Sequence, residues 1–442
     1  MKRSALCLIT AGLLGFVPAA DALTFLDLAT GDEALMPDAR AASLGRTRVA
    51  EGTGAFTGMS NPAGLAWAGD PRVSLGGGVQ KLKETRSIPA FDSFDGFLVE
   101  SIYALNDEYQ YRGGIAASGT APAEWGIGNL GLGVSFAPVR DFQYDYAEEV
   151  RDNNTFTQPR DQLLALNSVQ SDGTLDALTV GIGFAPPSDA VVFDFSVGAS
   201  VQFLSGHQDL LHRTFFVAAD TTSATVRNVN GISGVRGVFG VVAKPHHRID
   251  AAATFKTETT VDGDFLQSGN PSAVAYLGTP ALTGMATGTA EITYPAEFAV
   301  GVAYRPQAHV RTTVRVDATW TEWSQFAHDL WADLALENVW DVRFGIEHTF
   351  YNGYPVRFGF LYRPSPQNNE VATTSFTFGG GLDVGPLRAD LGFEIGNRDY
   401  RFQDLFDDSM FGGTTRTSTD LVDESTLTAY GSVSYALEGF GG

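Results

Sequence analysis

A single cysteine, Cys7, occurs among the 442 residues of the chain. It falls inside an N-terminal segment that reads as a leader, so the mature chain is expected to hold no thiol, which excludes disulfides and thiolate metal sites. Charge is scarce, at 18% of residues, and basic charge scarcer still: 29 Lys and Arg stand against 51 Asp and Glu, a net charge of −22. Phosphate binding needs a basic surface, so nucleic acid is not an expected partner. Past residue 22 no apolar run reaches the roughly 18 residues that a spanning helix needs. That absence leaves a membrane β-barrel open, because only alternate residues of each strand would face lipid.

The leader has the parts of a secretory signal peptide over residues 1–22. Lys2 and Arg3 form a basic start, an apolar stretch runs from Ala5 to Val17, and Ala20-Asp21-Ala22 supplies small residues at the cleavage positions. Removing it takes away Lys2, Arg3 and Asp21 and leaves a mature chain at −23.

What is abundant is glycine, with 50 residues, and aromatics, at 12%. That mix suits many strands joined by tight turns. Period-two alternation runs through much of the chain. Val197, Ala199, Val201 and Phe203 oppose Ser196, Gly198, Ser200 and Gln202. Val314, Val316, Ala318 and Trp320 oppose Arg315, Asp317 and Thr319. Trp340, Val342, Phe344 and Ile346 oppose Asp341, Arg343, Gly345 and Glu347. Leu391, Phe393 and Ile395 oppose Asp390, Gly392 and Glu394. The apolar faces often end in Tyr or Trp, as at Tyr304, Trp320, Tyr362 and Tyr435, which suits interfacial girdles.

Fourteen strands are expected, near 72–84, 95–119, 127–146, 174–185, 190–205, 231–243, 247–260, 292–305, 309–323, 338–351, 354–363, 373–384, 387–400 and 425–438. Six connections are short, near Ala121-Pro122-Ala123, Pro186-Pro187-Ser188, Lys244-Pro245-His246, Pro306-Gln307-Ala308, Asn352-Gly353 and Gly385-Pro386. They alternate with longer ones at 85–94, 147–173, 206–230, 261–291, 324–337, 364–372 and 401–424. Short periplasmic turns and long outer loops give this alternation. The fold class expected is therefore all-β: a transmembrane antiparallel barrel over 71–442. Residues 23–70 do not read as barrel strands and are expected to form a plug, or hatch, in the polar lumen.

At this point the chain resembles a known family. Phe25-Leu26, Pro37-Asp38-Ala39-Arg40-Ala41-Ala42-Ser43-Leu44-Gly45, Val49-Ala50 and Asn61-Pro62-Ala63-Gly64-Leu65-Ala66 are similar to the N-terminal signature of the FadL/TodX-like outer-membrane barrels. Tyr294-Pro295-Ala296-Glu297-Phe298, Thr321-Glu322-Trp323-Ser324-Gln325-Phe326 and Arg363-Pro364-Ser365-Pro366 extend the likeness to the second half. The resemblance implies a fourteen-stranded barrel with an N-terminal hatch in the Gram-negative outer membrane. It also implies passive uptake of long-chain fatty acids or aromatic hydrocarbons, which enter from outside and leave sideways into the membrane. The Pro-Asp-Ala-Arg-Ala opening looks more like a second branch, the PorV-like barrels, which would serve protein secretion or surface attachment without transport. One departure is the C-terminus, where Phe440 is followed by Gly441-Gly442 instead of closing the chain.

The candidate site residues follow from these readings. Arg311, Arg315, Arg343, Arg357 and Arg388 alternate toward the lumen, and a free guanidinium there would hold a ligand carboxylate in bidentate geometry. Paired with neighbouring acids, the same arginines would be a lining that fills the barrel. Asn61, Pro62, Ala63 and Gly64 are the hatch candidates. Leu163, Leu164, Leu166, Leu210, Leu211, Phe215 and Phe216 fall in expected outer loops, where exposed apolar groups would let a greasy compound land. His246 and His247 have no further nearby ligands, so no metal is expected. No nucleophile, base and orienting group converge, so neither an enzyme nor a cofactor is expected. The expected partners are a hydrophobic small molecule and outer-membrane lipid, with the chain acting as a monomer.

Overall fold

The computed structural model describes residues 23–50, 54–91, 94, 96–121, 128–151, 162–188, 191–269, 284–307, 311–331, 334–406, 408–411 and 419–437. The leader, the Ala121-Pro122-Ala123 turn beyond Ala121, and the C-terminal Phe440-Gly441-Gly442 lie outside them.

Alternation in the sequence becomes one closed antiparallel sheet. Its strands are β1 (Asp32–Glu33), β2 (Arg72–Phe91), β3 (Phe97–Thr120), β4 (Asn129–Asp141), β5 (Tyr144–Arg151), β6 (Leu163–Ala185) and β7 (Asp194–Phe216). They continue as β8 (Thr221–His246), β9 (Ile249–Lys256), β10 (Thr259–Gly269), β11 (Gly284–Tyr294), β12 (Glu297–Tyr304), β13 (Thr312–Thr321) and β14 (Ala327–His328). The last are β15 (Val339–Thr349), β16 (Pro355–Pro364), β17 (Ala372–Val384), β18 (Leu387–Phe402) and β19 (Asp420–Ala436). β4–β5, β9–β10, β11–β12 and β13–β14 are each one broken stave, and β1 lies inside, so the wall has fourteen staves. Closure comes from β19 against β2, in register from Ala436↔Arg72 to Leu421↔Ser87. No edge is left at this seam to pair with another chain.

Side chains keep to the faces that the alternation sets. Arg315, Arg343 and Arg357 are buried inward while Phe344 and Phe358 are exposed outward. Ser196, Ser200 and Gln202 are buried while Val197, Val201 and Phe203 are exposed. The outer surface is an apolar belt with Tyr109, Tyr111, Tyr304, Tyr362, Trp340 and Tyr435 exposed on it. A soluble protein would hide such a belt; a barrel in a bilayer presents it to lipid. No helix of the described residues is long and apolar enough to cross a membrane.

Two expected outer loops are instead strand. β6 starts at Leu163, β7 runs on to Phe216 and β8 starts at Thr221, so the expected loop 206–230 shrinks to a turn at 217–220. Above the lipid belt both faces of a strand tolerate polar residues, so the period-two signal fades there although the hydrogen-bond ladder goes on.

Residues 23–50 and 54–70 fold inside the barrel as α1 (Leu23–Thr30), β1, α2 (Ala39–Ala42), α3 (Thr57–Ser60) and a 3₁₀ turn, Pro62–Trp67. Asp38 caps α2 by accepting from the Arg40 and Ala41 amides. α2 packs on β17, β18 and β19, and the 3₁₀ turn on β4, β6, β7 and β8. Glycines on the wall make room. A Cβ on Gly198 would lie 2.3 Å from the Pro62 carbonyl carbon, and one on Gly240 would lie 2.0 Å from Asn61 Oδ1. Gly45 has φ +63°, and its Cβ would meet Phe344 O at 2.3 Å and Phe360 O at 2.6 Å. Only glycine serves there, because the backbone conformation and the space both exclude a side chain.

Candidate functional site

The site begins at a defect in the wall. Pro138 has no N–H to give to the ladder, and the β4–β6 register slips between Pro138 and Arg140. The stave then breaks at Phe142 and Gln143 before resuming as β5. Phe142 N–H turns to Gly173 O (3.1 Å), where Gly173 takes φ +145°. As a result β3 pairs with β4 only from Ile115↔Phe136 to Thr120↔Gly131, and with β5 only at Ala104↔Glu148 and Leu105↔Ala147. Between these ladders, residues 106–114 face residues 137–146 without a main-chain rung. The N-terminal segment takes part of the vacated edge: β1 pairs Asp32↔Asp141 and Glu33↔Arg140.

Behind the gap lies a cavity of about 280 Å³, lined at this side by Gln110, Arg140, Asp141, Phe142 and Gln143. Glu33 also lines it and gathers four cations. Arg48 lies 3.0 Å away, Arg343 3.1 Å, Arg46 3.5 Å and Arg363 3.6 Å. Burial pushes the Glu33 carboxyl up, but these guanidiniums together outweigh it and hold it well below the usual carboxylate range. Asp27, on α1, goes the other way. Burial and then the charge of Asp32 push it up to about 8 against the opposing pull of Arg398 and Arg363.

Among the arginines lining the cavity, Arg140 differs. Among the described residues it has no carboxylate within ion-pair reach. Its guanidinium lies over the rings of Tyr294 (5.4 Å) and Trp323 (5.2 Å) and makes one long bond to Gly31 O (3.5 Å). Beside it an apolar cluster is built from Phe142, Leu175, Val229, Ile232, Val261 and Ile292. A second cluster, including Leu28, Tyr144, Tyr146, Leu210, Trp331 and Phe406, fills the lumen toward the longer-loop end. The arrangement offers a hydrogen-bonding cation at the edge of a greasy surface, next to the unpaired stretch of the wall.

The arginines singled out from the sequence are committed elsewhere. Arg357 bonds Glu347 (2.6 Å) and Asp390 (2.8 Å), Arg388 bonds Asp390 (2.9 Å), and Arg343 is held by Glu33. Arg315 lies 4.0 Å from Glu347. Arg311 is exposed just before β13 and does not line the cavity. Arg343 alone of the five lines the cavity. Arg140 escaped notice because the sequence shows which face a side chain takes, not which partner it meets.

The hatch residues form a defined turn at the short-turn end of the lumen. Asn61 is extended (φ −140°), donates through Nδ2 to Val49 O (2.7 Å) and accepts from the Ala63 amide (3.1 Å). The expected loop-entry residues are corrected in place. Leu163, Leu164 and Leu166 begin β6, and Leu210, Leu211, Phe215 and Phe216 end β7. Leu210 is buried with Leu164 packed on its cluster, whereas Leu166 is exposed on the outer face. Phe216 packs against Phe411, with ring centroids 5.9 Å apart.

Fold and site together define a plugged fourteen-stranded β-barrel with a stretch of its wall that lacks main-chain pairing. No family model and no curated protein matches the chain. Solved structures do. It is similar to a FadL homologue from Pseudomonas aeruginosa, at 14% identity and a TM-score of 0.65, over 92% of this chain and 100% of that one. It is similar to the toluene transporter TodX of P. putida, at 15% identity and 0.60, over 92% and 99%. The toluene transporter TbuX of Ralstonia pickettii matches at 15% identity and 0.57, over 90% and 97%. The resemblance to FadL/TodX-like barrels read from the sequence motifs is thus borne out in the fold.

Proposed function

We propose that this chain is an outer-membrane channel for passive uptake of hydrophobic small molecules, which leave the lumen through the gap in its wall. The observation that carries the reading is the stretch of wall between β3 and the β4–β5 break that has no ladder pair and abuts the cavity. An interaction barrel of the PorV-like kind needs no such opening, and a sealed wall would have favoured it. The exposed apolar belt supports placement in a bilayer, and the likeness to a FadL homologue and to a toluene transporter supports the substrate class.

Of the two substrate classes, an acid with an apolar tail fits better than an uncharged hydrocarbon. Half-burying a cation without a close counter-charge is costly, and among the described residues Arg140 has no carboxylate within ion-pair reach, only the longer-range charge of Glu297. A ligand carboxylate would supply it, while the tail lies on the Phe142–Ile292 cluster. The test is native mass spectrometry of the protein released from nanodiscs after incubation with oleate and with toluene. A retained oleate that is lost in Arg140→Ala supports the reading; retention unchanged by the substitution contradicts the assignment of the head-group site.

A further inference from the structure

The gap is not open space. It is spanned by side chains acting where main-chain rungs are missing. Gln110 Nε2 donates to Gln143 O (3.0 Å), and Gln143 Nε2 donates to Tyr109 O (3.0 Å). The two bonds cross the seam in opposite directions and take the Gln143 and Tyr109 carbonyls that a main-chain ladder would otherwise use. Two residues along β3, Arg112 Nη2 bonds Asp141 Oδ1 (2.8 Å), and Asp141 Oδ1 also accepts from the Gln143 amide (3.0 Å). Arg112 and Asp141 are largely buried, and each keeps one buried polar atom without a partner, Arg112 Nε and Asp141 Oδ2.

We propose that Gln110, Arg112, Asp141 and Gln143 form a latch that closes the side port, and that swinging these four side chains aside opens it while every main-chain pair of the wall stays intact. The proposal rests on the channel reading above. Three arguments carry it. First, Gln110, Asp141 and Gln143 line the cavity, while the neighbouring Tyr109 and Tyr111 are exposed on the outer face, so the latch is what separates the two. Second, side-chain rotamers change far faster than a ladder can be unzipped, and Gln143 sits in the break itself, outside either strand. Third, the unpartnered Arg112 Nε gives a passing acid a second guanidinium to pair with, in competition with Asp141 for the same group. Asp141 is also one of the two residues that β1 pairs with, so a change at the latch is felt by the N-terminal segment.

The latch can be locked. The mature chain is expected to hold no cysteine, so Gln110→Cys with Gln143→Cys gives one addressable pair. The pair is joined with a short thiol-reactive cross-linker that a reductant cleaves. Uptake of labelled oleate is followed in cells, and oleate binding in purified protein, before and after cleavage. The proposal expects the joined protein to bind oleate yet lose uptake, and cleavage to restore it. Gln143→Ala and Asp141→Asn, which need no cross-link, should raise uptake above wild type. Full uptake by the joined protein, or no rise in both single variants, overturns the latch and leaves the channel reading standing. Absence of uptake and binding by the wild-type protein overturns the channel reading and the latch with it.

Discussion

Glu33→Gln is the most informative single change in the N-terminal segment. The substitution keeps the side chain's shape and removes its charge from the centre of Arg46, Arg48, Arg343 and Arg363. Breaking a buried ion pair by removing one partner costs about 3–5 kcal/mol where the other charge is left uncompensated; here Arg46 keeps Glu394, Arg343 keeps Asp341 and Arg363 keeps Asp32, so Arg48 carries most of the loss. Glu33 and Arg48 are partly exposed, at 20% and 33% of their side chains, so water screens part of the loss and the lower end, about 3 kcal/mol, is appropriate. That is a shift of about a hundredfold toward a released segment. The ladder around the barrel is untouched, so heat-modified migration on gels should stay as in the wild type. Hydrogen exchange over residues 26–50 should accelerate, and reconstituted protein should pass small polar solutes more readily. The control is Asp32→Asn: its carboxylate is about half exposed and pairs with Arg363 alone among the four, so its effect should be small. Unchanged exchange and unchanged solute flux in Glu33→Gln would refute the argument that this carboxylate pins the segment.

Three further outcomes are expected. Gly45→Ala should loosen the same segment more severely, since a left-handed residue with a Cβ costs about 1–2 kcal/mol before any clash with the Phe344 and Phe360 carbonyls is counted; faster exchange over residues 39–50 with an intact barrel is the readout. Asp27 holds its proton to about pH 8 when folded but to the usual carboxylate range when released, so the segment's docking should be firmest in acid and weaken as pH rises through that window, flattening above it; Asp27→Asn should remove this slope in exchange rates measured across pH. Cysteines placed at Arg343 and Phe344 should differ by face, with aqueous reagents reaching 343 only through the lumen and 344 shielded by lipid; preferential aqueous labelling at 344 would invert the register.

How much of this was legible in the sequence depends on which property is asked for. The strands and their inward and outward faces follow from a period of two, and Arg343 inside with Phe344 outside needed no structure. The fourteen staves followed from the spacing of turns. Strand length above the belt did not, because where neither face meets lipid the alternation has no cause, and residues 206–216 looked like loop. The wall gap was half legible. Pro138 is visible as a residue that cannot complete a ladder, but the loss of pairing over 106–114 depends on where β3 lies relative to β4. Charge partners were not legible at all. Glu33 meets Arg343 across a separation of 310 residues, and nothing near either in the chain announces it. Hence the five chosen arginines included one cavity residue, and Arg140 was missed.

The central proposal is that a hydrophobic acid crosses the outer membrane through this barrel. Its most direct test is uptake of labelled oleate by Gram-negative cells that lack their own channel for it, with and without the chain. Uptake that appears with wild-type protein, falls in Arg140→Ala and is absent when the side port is cross-linked is the predicted result. Uptake equal to that of cells without the chain, from a protein shown to be folded in the outer membrane, would contradict it.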